Sequence, residues 1–235
     1  MNRKSIEPYI VRFTASLFSA LFVFAVVTLA GPPLVCHVFD IGNAKSLPWT
    51  STGWNLTGTE TYNSKNLALD TIAILNADET VLVHMETLRR ATLYARKDPT
   101  AAKELLTKLV ARSESAPTGK QVALADFDAG YLIETYKQWM GKDEPNPARG
   151  LDGYTLVKKA MQRNGENAQI NFAAALITLQ GPADAHRAYA EKALVGAKTD
   201  SLLARNLAAH FHGTQGETMA EMVSADISQR VAAKQ

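Results

Sequence analysis

The sequence predicts an all-α protein of antiparallel helical hairpins, stacked as a divergent right-handed solenoid and preceded by an apolar N-terminal signal or anchor helix. Three observations carry this. From about Ser64 onward apolar residues recur at helical spacing, and no stretch alternates like a strand for more than a few residues. Clusters of Gly, Pro, Ser and Asn divide that part into segments of about 11–20 residues joined by short turns, the format of paired helices. Phe13–Gly31 is an uncharged run of nineteen residues, rich in Phe, Leu, Val and Ala.

Arg3, Lys4 and Arg12 precede that run, and a positive flank stays on the cytoplasmic side. Two readings stay open. Thr28-Leu29-Ala30 offers small residues for signal cleavage before Gly31. Nineteen apolar residues are also long enough to span a bilayer as an uncleaved anchor through residues 13–31. Either way the chain from about residue 32 is expected outside the cytoplasm, either periplasmic or membrane-anchored and facing outward.

The formal net charge of +2 comes from this end of the chain. Once Arg3, Lys4, Arg12 and Glu7 are set aside, 22 basic and 22 acidic side chains remain. A neutral body with no block of like charges argues against a nucleic-acid partner.

Residues 31–63 read as an extended tether between this run and the helices. Cys36, the single cysteine, stands next to His37, and Pro48-Trp49 closes the apolar part. In an oxidising compartment a lone cysteine is a free thiol or half of an intermolecular disulfide. Val35 stands where a lipoprotein signal needs a small residue. Gly42-Asn43-Ala44-Lys45-Ser46 lacks the glycines of a phosphate loop. Leu34, Val35, Cys36, Val38 and Phe39 are expected to pack on the first helices with the thiol buried. Cys36, His37 and Trp49 are the candidate thiol or interaction site. The stretch Cys-His-Val-Phe-Asp-Ile-Gly-Asn-Ala-Lys-Ser-Leu-Pro-Trp, residues 36–49, resembles the opening of a group of bacterial exported envelope proteins to which no activity is assigned. The resemblance implies a bacterial exported protein and no reaction.

The helices follow in order. Asn66–Asn76 is the first, and Asp78 is the expected N-cap of a second reaching about Lys97. Val81, Met85, Leu88, Thr92 and Ala95 form its apolar stripe. Arg89 and Arg90 fall partly outside the stripe, each within reach of Glu86, and read as a solvated face. Asp98-Pro99 starts Thr100–Ser113, and a break at Ser115–Gly119 precedes the longest helix, Lys120–Met140. Tyr131, Tyr136 and Trp139 on it are expected in the core. Gly141–Gly150, with two prolines, separates a first helical region (64–140) from a second (151–235). The second holds Asp152–Arg163, Asn167–Leu179, Pro182–Ala197, Asp200–Phe211 and an amphipathic Glu217–Val231. Ala168–Ala197 is similar to a tetratricopeptide unit, except that His186 falls where a small residue is expected.

No reaction can be read from these residues. Gly-x-Ser-x-Gly and His-Glu-x-x-His spacings are absent. His210 and His212 diverge on a helix, where a C-terminal dipole accounts for them. Asp126 and Asp128 diverge likewise. Catalytic residues, cofactors and metal ligands are therefore expected to be none. The leading expectation is a non-enzymatic exported helical-repeat protein that binds an envelope protein partner through a concave helix face. A thiol-linked or metal-linked role at Cys36-His37, including a disulfide dimer, is the second. A hydrolase of envelope polymers using Asp126 and Asp128 is the third.

Overall fold

The computed structural model describes residues 33–50, 56, 59–115, 119–164, 167–179 and 183–211. Phe13–Gly31, His212 and Glu217–Val231 lie outside them. The described residues form eight α-helices with no strand among them: α1 (Leu67–Ala77), α2 (Val81–Ala95), α3 (Pro99–Ser115), α4 (Lys120–Trp139), α5 (Gly153–Asn164), α6 (Ala168–Ile177), α7 (Ala183–Ala197) and α8 (Ser201–Phe211). The fold is all-α. Among the described residues no helix is long and apolar enough to cross a membrane.

Polar side chains cap α3, α6 and α8 at starts that the sequence predicts. Asp98 accepts from the amides of Thr100 and Ala101, with Pro99 in the first turn of α3. Asn167 caps α6 through Gln169 N and Ile170 N, and Asp200 caps α8 through Leu203 N. Asp78 is the exception: α2 begins at Val81 after Thr80, and the Asp78 carboxylate accepts from Thr80 N instead of capping the helix. The extra two residues form the turn that brings α1 back along α2.

Helix α2 is the centre of the molecule. It packs against α1, α3, α4 and α6, and residues 34–48 cover what those helices leave open. Every residue from Val81 to Ala95 is buried except Arg90, which is half-buried. A helix covered on all sides is ordinarily apolar all round. This one carries His84, Glu86, Thr87, Arg89 and Thr92, each with no exposed surface. Arg89 and Arg90 are therefore not a solvated face. Periodicity misplaces them because it sees a helix with one buried stripe, whereas tertiary packing buries the opposite side too.

Around that axis the remaining helices approach closely where side chains are small. Gly130 on α4 meets Gly153 at the start of α5 with backbone against backbone. Gly196 near the end of α7 abuts Ala168 at the start of α6. His186, standing where a repeat would carry a small residue, is buried with Nδ1 2.9 Å from the carbonyl of Ala175. Tyr131 and Tyr136 are wholly buried, and Trp139 half-buried. Buried apolar side chains run continuously from Leu34 to Leu207, with Ala148 between α4 and α5 among them.

Candidate interaction groove

Residues 33–50 contain no helix, yet Leu34, Val35, Phe39 and Leu47 are at most 1% exposed. A non-helical segment laid on a core brings main-chain amides and carbonyls with it, and each must find a partner there. The polar residues of α2, α4 and α8 are those partners. Gln138 Oε1 accepts from Leu34 N at 3.1 Å, and Arg89 Nη1 donates to Val35 O at 3.0 Å. Glu86 Oε2 accepts from Phe39 N at 3.0 Å, and Arg90 Nη1 donates to Leu47 O at 2.6 Å. Tyr94 donates to Pro48 O at 2.5 Å. Asn206 takes both main-chain groups of Asp40, accepting from N and donating to O at 2.8 Å each, as a neighbouring strand would. Ser46 and Thr87 share a hydroxyl bond at 3.0 Å.

Glu86, Arg89 and Arg90 are the hub of this groove. Glu86 Oε2 receives Arg89 Nε at 2.8 Å, and Oε1 receives Arg90 Nε at 2.6 Å. The expected pairing of Glu86 with either arginine is thus a pairing with both. The guanidinium of Arg89 also lies 5.1 Å from the centre of the Trp49 ring. One carboxylate pairs with both guanidiniums and orients them at the carbonyls of the strap, residues 33–50, and the surplus positive charge falls to Arg90, the partly exposed member.

The candidate residues Cys36, His37 and Trp49 all lie on this strap and are half-buried. They do not converge: Trp49 stands beside Arg89 and Tyr94, while His37 meets α8. The His37 ring lies 5.5 Å from that of His210, which stacks on Phe39 at 4.5 Å and meets Phe172 edge-on at 5.5 Å. Among the described residues no three His, Cys, Asp or Glu side chains come together to hold a metal ion. Cys36 is half-exposed where the sequence predicts a buried thiol, because Leu34, Val35 and Phe39 take the inward positions around it. Partial burial raises its pKa, with Arg89 opposing, so the thiol stays protonated at neutral pH. Iodoacetamide should accordingly alkylate Cys36 at pH 8 more slowly than free cysteine, followed by mass spectrometry. A rate equal to or above that of free cysteine would contradict this environment.

Two further carboxylates of α4 are wholly buried. Asp128 Oδ1 meets His84 Nδ1, and Oδ2 meets Arg112 Nη1, both at 2.5 Å. Asp126 Oδ1 accepts from Ser113 at 2.5 Å and faces Lys159 at 3.5 Å, and its Oδ2 accepts from Arg163 at 2.7 Å. All four oxygens are engaged, linking α2, α3, α4 and α5. His84 Nε2 lies 2.7 Å from the carbonyl of Asp78. Both ring nitrogens therefore face acceptors and both must carry protons. The ring is an imidazolium with no free nitrogen to act as a base.

The two buried histidines give stability opposite pH dependences. Burial pushes His84 down, but the charge and hydrogen bond of Asp128 and the Asp78 carbonyl outweigh it and hold its pKa above the ordinary value. Its contribution is complete below about pH 6.5 and is lost as pH rises through the raised value. Burial, assisted by His37 and Arg89, lowers His210 to about 4. That contribution is complete above about pH 6.5 and is lost as pH falls towards 4, by about 3 kcal/mol. Thermal melts from about pH 4 to about pH 9 should show Tm falling on both sides of neutrality. His210→Phe should flatten the acid limb and His84→Gln the alkaline limb. Unaltered limbs in these variants would refute the assignment.

The clamp that Glu86, Arg89, Arg90, Gln138 and Asn206 form on the strap is not legible in the sequence. The available signal is three charged residues within five positions, Glu86, Arg89 and Arg90, together with an apolar non-helical segment whose main chain needs partners. Asn206 has no comparable signal, since only folding brings it to Asp40. No protein-family model, curated protein or solved structure matches the chain.

Proposed function

We propose that the protein is a membrane-anchored helical-repeat scaffold of the cell envelope, which presents its helical body to a protein partner outside the cytoplasm. The observation that carries the reading is the clamp: side chains of α2, α4 and α8 grip the main chain from Leu34 onward, three residues after the apolar run ends. A body joined this tightly to its leading segment is held in one orientation, as a scaffold requires. Nineteen residues would measure about 28 Å if helical, close to a bilayer's hydrocarbon thickness, and the run is longer than an ordinary signal core, which supports retention. A stacked-hairpin arrangement is supported by α1 packing on α3 and α2 on α4, the neighbours that successive hairpins bring together.

A fusion of alkaline phosphatase after Gln235 tests both halves of the address. High phosphatase activity, with the fusion kept in the membrane pellet after carbonate washing, is the expected result. An inactive fusion, or one released by carbonate, would overturn the proposal.

A further inference from the structure

Resting on the anchor reading above, we infer that the end of the body formed by the start of the strap and the C-terminal turn of α4 is a membrane-apposed face, seated on phospholipid headgroups. The strap is fixed to the body at Leu34 by Gln138 and at Val35 by Arg89, both partners lying in the fold. Only Pro32 and Pro33 separate Leu34 from Gly31, the last residue of the apolar run. A fully extended chain covers about 10 Å from Gly31 to Leu34. The headgroup layer on each side of a bilayer is about 5–8 Å thick. With Gly31 at the hydrocarbon edge, the docking point at Leu34 stands at most about 5 Å beyond the rim of the headgroups.

The side chains around that point suit the setting. Lys137 is exposed, and Trp139 is half-buried with the Arg96 guanidinium 5.0 Å from its ring centre. Both flank Gln138, Lys137 also pairing with Glu134 at 2.9 Å, and Lys142 follows in the exposed turn after α4, ahead of Asp143 and Glu144. Lysine ammoniums pair with lipid phosphates, and tryptophan favours the headgroup level. The opposite end of α4 lies away from the bilayer. Gln121 and Gln138 are seventeen residues apart, about 25 Å of helix, and Ser115 shares a pocket with Gln121. The clamp thus fixes which end of the body faces the lipid and which faces the partner.

The single native cysteine makes the test direct. The full chain is reconstituted in phosphatidylethanolamine/phosphatidylglycerol vesicles containing a headgroup-nitroxide phosphatidylcholine, with a fluorophore on Cys36. A second preparation carries Cys36→Ser with Ser115→Cys, and a third Cys36→Ser with Lys142→Cys, which reports on the same end without touching the strap. The expected result is flotation of all three with the vesicles, quenching by half or more at positions 36 and 142, and little quenching at 115. Flotation with position 115 quenched as strongly as positions 36 and 142 would overturn the orientation while leaving the anchor in place. Failure of the native chain to float would overturn the anchor reading and this inference with it.

Discussion

Replacing Arg89 with Met should cost about 3–5 kcal/mol of stability, the range for breaking a buried ion pair from one side. Arg89 has no exposed surface, and its loss takes two hydrogen bonds from the equally buried Glu86, which keeps Arg90 and the Phe39 amide. The carbonyl of Val35 loses its donor at 3.0 Å, and Trp49 loses the cation beside its ring. Methionine fills much of the volume, so the cost measures the charge and its hydrogen bonds more than a cavity. Urea titration of the two proteins reads it directly. Strap release should also show locally, as faster alkylation of Cys36. The double variant Glu86→Leu/Arg89→Met should recover none of the loss, because it also takes the carboxylate from Arg90 and the acceptor from Phe39 N. A cost below about 1 kcal/mol for Arg89→Met would mean that the strap does not depend on this clamp.

Gly153→Ala should be nearly as damaging for a steric reason. A methyl group at Gly153 would stand 2.8 Å from Ile133 Cβ and 2.9 Å from Glu134 Oε1, and closer still to the carbonyl of Gly130. The obstacle is mainly backbone, which cannot rotate aside, so α4 and α5 must separate. Overpacking of this kind costs about 1–3 kcal/mol, and more where main chain is in the way. Glu134 also accepts from Tyr154 N at 3.1 Å and pairs with Lys137 at 2.9 Å, so displacing it disturbs the start of α5. Gly141→Ala is the control, since its nearest neighbour would be Glu144 at 3.6 Å. It should shift stability by less than about 0.5 kcal/mol. Equal melting temperatures for the two variants would rule out the close helix crossing.

Much of the fold is legible in the chain because it rests on local chemistry. Apolar spacing and the turn clusters place the helices, and Asp98-Pro99, Asn167 and Asp200 mark starts that the structure keeps within a residue or two. Capping satisfies amides two or three residues away, so its signal lies in the sequence neighbourhood. The Asp78 reading fails for a similarly local reason: its carboxylate takes the nearer amide of Thr80, and the helix begins at Val81.

The groove is of another kind. Glu86, Arg89 and Arg90 look like an exposed charged face, since nothing in α2 announces that residues 34–48 will lie over it. Their role follows from the main-chain groups of a segment about fifty residues away, and that of Asn206 from one 166 positions away. His210 likewise meets His37 and Phe39 only after α8 has folded back across the molecule. The sequence by itself determines the all-α class, the order of the helices, a neutral body and an apolar leading segment with a positive flank. Tertiary structure alone decides that α2 is enclosed and that its charges hold the strap. A buried amide or carbonyl accepts any suitably placed partner, and that placement is set by packing across the whole chain rather than by neighbours in sequence.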